Sequence, residues 1–124
     1  MENENIADYM QEYETFANNF RKTEVSAEEI GELIMKMSVH YARYNVRLSD
    51  AIRAFSFKKA EFQNQTDPTS GKAMSTSKSE VLADATPEAS VYELARIHVQ
   101  NIQEYINSLK SLQRGVQFEY ASNT

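Results

Sequence analysis

The sequence predicts an all-α protein: a long antiparallel helical hairpin with an N-terminal amphipathic helix, assembling as an oligomer. Apolar residues recur at alternating steps of four and three over two long segments, separated by a polar stretch rich in turn formers. Helix-capping residues stand at the start of both segments. We divide the 124 residues into an acidic amphipathic helix or arm (1–25), a helical hairpin (26–116) with a polar loop (63–79), and a C-terminal tail (117–124).

The first segment has the pattern of an amphipathic helix. Apolar residues from Ile6 to Phe20 follow helical spacing, and acidic residues fill many of the other positions. Two interpretations remain open for this segment. It is either a third helix packed on the hairpin or an acidic arm that docks on a partner protein.

The second segment predicts one long helix. Ser26 and Glu29 form a capping box, and no proline occurs before Pro68. The expected hairpin seam is apolar except at one lysine: Ile30, Ile34, Met37, Tyr41, Tyr44, Leu48, Ala51, Phe55, Lys58 and Phe62. A second, weaker row contains Met35, Val39, Ala42, Val46 and Phe57. Two apolar rows predict two neighbours for this helix.

The polar stretch after this helix predicts a loop. Turn-forming residues cluster from Thr66 to Gly71, which indicates that the helix has ended. Ser77 and Glu80 match a second capping box and predict the start of a short helix.

The second long helix is expected to begin after Thr86, with Pro87 as its first residue, and to end near Arg114, because Gly115 is a typical helix stop. Its side of the seam is expected to contain Val91, Ala95, His98, Ile102, Tyr105, Leu109, Leu112 and Val116. A second row of Tyr92, Val99 and Ile106 again predicts two neighbours.

Composition narrows the functional classes. The chain has no cysteine, which excludes disulfides and thiolate chemistry and favours a reducing, cytoplasmic location. No apolar run approaches the ~20 residues of a membrane-spanning helix, so we expect no membrane partner. The net charge of −5 is unevenly distributed: residues 36–78 carry eight bases and three acids. Such a distribution favours a cationic surface on an acidic protein.

These bases are the strongest sign of a binding surface. One flank of the long helix is expected to carry four basic side chains, Lys36, His40, Arg43 and Arg47, with aromatic residues interleaved. Cations neutralise phosphates, and aromatic rings stack on single-stranded bases. The predicted nucleic-acid-binding residues are Lys36, Arg43, Arg47, Arg53, Lys58, Lys59, Lys72 and Lys78. A solvated helix face that pairs with acids of neighbouring subunits explains the same charges equally well.

We predict no catalytic, metal or cofactor site. His98 lies in the seam, where a polar residue that fixes the register is the simplest interpretation. His40 is the only other histidine, and neither follows the Glu-x-x-His pattern of metal-binding helical bundles. The pair Gly71 and Lys72 lacks the upstream glycine and the following Ser or Thr of a phosphate-binding loop. We therefore expect a protein that is not an enzyme.

The order of parts from Tyr41 to Gly115 resembles the recombination mediator proteins of T4-type bacteriophages, the UvsY family. The likeness consists of a base-rich long helix, a polar loop, the motif Lys78-Ser79-Glu80-Val81 followed by Leu82-Ala83-Asp84, and a second long helix that closes near Arg114-Gly115. The resemblance implies rings of small helical subunits that bind single-stranded DNA and help load a RecA-like recombinase. It implies DNA contacts at the matching basic positions Arg43, Arg47, Arg53, Lys58, Lys59, Lys72 and Lys78.

The sequence and this resemblance together lead us to expect an oligomeric single-stranded DNA-binding accessory protein in the host cytoplasm. Its expected partners are further copies of itself, single-stranded DNA, and a recombinase or single-strand binding protein. The alternative is a helical phage protein-interaction module, either a virion component or an inhibitor of a host protein, that does not bind nucleic acid.

Overall fold

Four helices make up most of the described chain. The computed structural model describes residues 7–123, so the predicted arm residue Ile6 lies outside the described residues. The helices are α1 (Asp8–Lys22), α2 (Ala27–Gln63), α3 (Thr76–Asp84) and α4 (Pro87–Asn123). The two long helices, α2 and α4, pack as a hairpin. The all-α class and the helical hairpin are therefore confirmed.

The chain divides into two compact units. The first contains α1, the part of α2 that ends at Ala42, and the part of α4 that begins at Gln100. The second runs from Arg43 to Val99 and contains the rest of α2, the loop, α3 and the start of α4.

In the first unit, α1 packs as a third helix. Tyr9 is fully buried, and its ring centroid lies 5.8 Å from that of Tyr105. Tyr13 stacks on the same Tyr105 ring at 4.1 Å, with the two planes only 8° apart. The buried apolar core of this unit contains Tyr9, Ile30, Leu33, Met37, Ile102 and Leu109. Of the two interpretations of the acidic segment, the structure supports the third helix packed on the hairpin.

The start of α2 follows the predicted capping pattern. The Ser26 hydroxyl accepts a hydrogen bond from the Glu29 amide at 3.2 Å, which satisfies a free N–H of the first turn. Gly31, in the same turn, allows a close approach: a Cβ there would lie 3.0 Å from Nε2 of Gln113. That amide nitrogen donates to the Ala27 carbonyl at 2.9 Å, and so joins α4 to the first turn of α2.

In the second unit, aromatic pairs join the two long helices. Phe55 stacks on Tyr92 with ring centroids 5.4 Å apart, and Tyr44 lies 5.1 Å from the His98 ring. Over both units, seven predicted seam positions are buried: Ile30, Met37, Ala51, Phe55, Ala95, Ile102 and Leu109. Ten others are half-buried: Ile34, Tyr41, Tyr44, Leu48, Lys58, Phe62, His98, Tyr105, Leu112 and Val116.

The loop after α2 is held by its own hydrogen bonds. The Asp67 amide donates to the Lys72 carbonyl at 2.7 Å, and the Gly71 amide donates to the Asp67 carbonyl at 2.8 Å. Gly71 has a φ of +71°, a conformation that glycine adopts without the strain of a Cβ. The Met74 amide closes the turn on the Gln65 carbonyl at 3.0 Å. The turn formers seen in the sequence therefore build one defined turn.

The start of α3 differs from the prediction. The helix begins at Thr76, inside the predicted 63–79 loop, and its N-cap is Ser75 instead of Ser77. The Ser75 hydroxyl accepts from the Lys78 amide at 3.2 Å. Because the preceding turn ends at Met74, Ser75 is the first residue free to act as a cap.

Replacing the observed cap should destabilise the protein, whereas replacing the predicted one should not. We expect Ser75→Ala to lower the free energy of unfolding by ~1 kcal/mol, because an amide of the first turn loses its acceptor. Ser77→Ala removes an exposed hydroxyl and should change it by less than ~0.5 kcal/mol. Urea denaturation measures both; a larger loss in Ser77→Ala would contradict the observed cap.

The two ends of α4 compare differently with their predictions. Thr86 caps the helix as expected, accepting from the Ala89 amide at 3.4 Å, and Pro87 is its first residue. The predicted end near Arg114 is wrong, because α4 continues through Gly115 to Asn123. The helix therefore includes residues 117–123 of the predicted tail, and Thr124 lies outside the described residues. A glycine inside a helix costs ~1 kcal/mol but ends the helix only when it adopts a positive φ, which Gly115 does not.

The second apolar rows of the two long helices have different surroundings. Val99 on α4 is buried, and Tyr92 and Ile106 are half-buried, so the described chain covers this row at least in part. The corresponding row on α2 is exposed: Met35, Val39, Ala42, Val46 and Phe57. Val91, predicted to lie in the seam, is also exposed. The prediction of a second neighbour therefore remains open only for α2.

Candidate nucleic-acid interface

Three arginines of α2 in the second unit carry charges without an ion-pair partner in the described part of the chain. Arg43, Arg47 and Arg53 are exposed, and none is within ion-pair distance of a carboxylate among residues 7–123. Arg43 and Arg47 lie one helical turn apart, so their charges face the same side and repel by a few tenths of a kcal/mol. An anion bound between them would remove this repulsion. We name Arg43, Arg47 and Arg53 the arginine group.

Within the arginine group, the guanidinium of Arg47 is held in place by an aromatic ring. Its guanidinium carbon lies 4.6 Å above the centroid of the Tyr44 ring, which is itself packed near His98. A cation held over an aromatic face loses less conformational freedom when it binds a phosphate than one on a free side chain.

The other predicted DNA-binding cations are already engaged or stand apart. Lys58 pairs with Glu61 at 3.2 Å, and the Lys59 ammonium lies 4.5 Å from the Phe55 ring centroid. Lys36 is exposed but belongs to the first unit. Lys72 is exposed in the loop, where its carbonyl accepts from the Asp67 amide. The structure therefore does not gather the eight predicted cations into one cluster.

Lys78 has a structural partner. Its ammonium donates to Oδ2 of Asp67 at 2.6 Å, while Oδ1 accepts from the Thr69 amide at 2.9 Å. The hydrogen bond from Lys78 is the largest cause of the lowered pKa of the Asp67 carboxyl, and the hydrogen bond from the Thr69 amide lowers this pKa further. In the same motif, the fully buried Ser79 donates to the Thr76 carbonyl at 2.8 Å. The Lys78–Asp67 ion pair therefore joins α3 to the loop, whereas the Ser79 hydrogen bond lies within α3.

One aromatic residue is available beside the basic helix surface. Phe57 is 66% exposed, whereas Phe55 is buried and both Tyr41 and Tyr44 are half-buried. Phe57 lines an open groove of about 420 Å³. The groove is lined by Asp50, Arg53, Ala54, Phe57, Lys58 and Glu88. Its two bases and two acids balance, so the lining carries no net charge and the exposed ring face of Phe57 is its largest apolar surface.

The predicted basic flank loses one member. His40 is buried, and its Nε2 lies 3.0 Å from Oε2 of Glu12 on α1. Its ring centroid is 6.3 Å from that of Tyr9, so it contacts the helix that covers it. His40 is therefore covered by α1 and is not part of an open basic surface. The helical period alone cannot show this, because the burial depends on the docking of α1.

His98 gives the second unit a sensitivity to acid. Burial lowers the pKa of its imidazole below the usual value, and the charge of Arg47 lowers it further. The unfolded chain binds a proton at this imidazole more readily than the folded chain does. The folded state therefore keeps its full stability above the unfolded pKa of about 6.5, and it loses part of that stability as the pH falls towards the folded pKa.

We expect the free energy of unfolding to fall between pH 7 and pH 5, and to fall less steeply in His98→Gln. Guanidinium denaturation at several pH values measures this slope. Other titrating groups contribute equally to both proteins, so the difference between the two slopes isolates His98. Equal slopes would contradict a lowered pKa in the folded state.

Comparisons with known proteins leave the site to be interpreted from its own chemistry. No protein-family model, no curated protein and no solved structure matches this chain. Within residues 7–123, no group of three or more histidine or acidic side chains is placed to hold a metal ion. None of the helices in that range has the length and apolarity needed to cross a membrane.

Proposed function

We propose that this chain is an oligomeric single-stranded DNA-binding accessory protein without enzymatic activity. The observation that supports it is the arginine group of α2: three exposed guanidinium groups, two of them one turn apart, without a carboxylate partner among the described residues. Arginine binds phosphate through a rigid fork of N–H donors and remains charged at any relevant pH.

The exposed ring of Phe57 favours single strands over duplex DNA. Proteins that bind single strands combine cations along the backbone with aromatic faces on which bases stack. Arg53 and Phe57 line the same groove, so a strand held at Arg53 has a ring within reach of its bases. A base in a duplex is already stacked on its neighbours and gains little from such a ring.

The proposed role in recombination follows from the resemblance to phage recombination mediators. Under this proposal, the protein holds single-stranded DNA while a RecA-like recombinase displaces the single-strand binding protein. The recombinase and the single-strand binding protein are the proposed protein partners.

The salt dependence of DNA binding tests the proposal. Neutralisation of three phosphates by the arginine group predicts a slope of about −2 in a plot of log affinity against log salt for single strands. Fluorescence anisotropy with a labelled oligonucleotide gives the affinities, and an unlabelled duplex competitor tests the preference. Light scattering on the same sample gives the oligomeric state. Absence of binding at 50 mM salt would exclude the proposal.

A second candidate function is a helical protein-interaction module. Exposed apolar side chains on the first turns of α4 favour it, since Val91, Leu94 and Ile97 are between 40% and 58% exposed. In this case DNA binding is absent, and charge reversal at Arg43 and Arg47 leaves the interaction with the protein partner unchanged. Leu94→Glu should instead abolish that interaction.

A further inference from the structure

The outward face of α2 carries an apolar row that no part of the described chain covers. Met35, Val39 and Val46 are 72%, 58% and 63% exposed, and the exposed Ala42 lies between them. Their steps of four, three and four are those of a coiled-coil seam. Because α2 is one continuous helix, its period alone places these residues on one face, away from the buried Met37.

The row continues in both directions with the same spacing. Glu28 and Glu32 precede it, and Ser49 and Arg53 follow it, all four exposed. The full row is Glu28, Glu32, Met35, Val39, Ala42, Val46, Ser49 and Arg53. It is acidic at one end, apolar in the middle, and basic at the other end.

We infer that two copies of this chain pair through this face of α2, in antiparallel orientation. With the two-fold axis between Val39 and Ala42, Met35 lies opposite Val46 of the second copy, and Glu28 lies opposite Arg53. The steps of four and three make the seam residues alternate between positions a and d of a heptad. Every opposed pair joins an a position of one copy to a d position of the other, as antiparallel coiled coils require. One arrangement thus buries the apolar row and joins opposite charges at both ends.

The charges determine the orientation. Parallel pairing would set Glu28 against Glu28 and Arg53 against Arg53, so that like charges meet inside the seam. Antiparallel pairing converts both contacts into ion pairs. Arg53 then has a carboxylate partner, so in the dimer the phosphate contacts of the proposed function rest on Arg43 and Arg47, and the expected salt slope becomes about −1.4. Within a single chain, Glu28 and Arg53 are 25 residues apart on one helix, or roughly 37 Å, so they cannot pair there.

Basic side chains on the flank beside the row oppose the pairing. Lys36 lies one residue after the seam position Met35, and Arg43 lies one residue after Ala42. Antiparallel pairing brings these two bases near Lys36 and Arg43 of the second copy. This repulsion costs a few tenths of a kcal/mol per contact and is screened by salt. A polyanion would relieve it, a consequence that rests on the proposed function, whereas the pairing itself does not.

Charge exchange between the two ends of the row tests the pairing. We compare the wild type, Glu28→Arg, Arg53→Glu and the double variant by sedimentation equilibrium without DNA. Each single substitution replaces two ion pairs with two repulsive contacts, and we expect it to weaken dimerisation roughly 5- to 30-fold. The double variant should restore the wild-type dissociation constant, because both opposed pairs are again of opposite sign.

Three outcomes would overturn the inference. They are a wild type that remains monomeric at high concentration, single variants that dimerise as well as the wild type, and a double variant no better than the singles. Met35→Glu provides a second check, because it should abolish dimerisation without changing the circular dichroism spectrum. Since no DNA is present, failure here leaves the proposed function to its own test.

Discussion

Met37→Ala is expected to lower the free energy of unfolding by about 2–5 kcal/mol. Met37 is fully buried in the core of the first unit, with Tyr9, Ile30 and Leu109. Truncation removes favourable burial of the thioether chain and leaves a cavity that the three helices can close only in part. Urea denaturation at low protein concentration measures the change on the monomer.

Met35→Ala is the matched control. It changes the same residue type two positions earlier on the same helix, where the side chain is 72% exposed. We expect a change in unfolding free energy of less than ~0.5 kcal/mol, together with weaker dimerisation. Equal losses in the two variants would contradict the difference in burial between Met37 and Met35.

The fold was predictable where a pattern belongs to one helix. The seam positions follow from the alternation of four and three, and the starts at Ser26 and Pro87 follow from capping chemistry that involves only neighbouring residues. The start of α3 was not predictable in this way. Ser75 and Ser77 are both suitable caps, and the choice is made by the turn that closes on Gln65.

The residue types of the candidate site were predictable from the sequence, but which of the basic side chains pair with a carboxylate was mostly not. The sequence shows that Lys58, Lys78 and His40 are basic. It does not show that Asp67 and Glu12 are near enough to engage Lys78 and His40, whereas Glu61 lies only three residues from Lys58 on the same predicted helix. Of these pairs, Lys78–Asp67 depends on the loop and His40–Glu12 on the docking of α1. The three arginines keep their predicted exposure because nothing in the described chain is packed over them.

Charge reversal in the arginine group is expected to have the largest effect on DNA binding. Arg43→Glu with Arg47→Glu removes two phosphate contacts. Each contact contributes about 0.7 log units to the affinity at 0.1 M salt, so we expect a loss of roughly 20-fold or more, and a salt slope less steep by about 1.4. Fluorescence anisotropy over a range of salt concentrations measures both quantities.

The matched control for this pair lies on α4. Lys110 and Arg114 are also exposed and one turn apart, so Lys110→Glu with Arg114→Glu changes the net charge by the same amount, from −5 to −9. If only contacts at the arginine group hold the strand, the control keeps its salt slope and loses little affinity. Equal losses in both doubles would show that DNA responds to the total charge of the protein. Unchanged binding in the α2 double would place the DNA contacts on another surface.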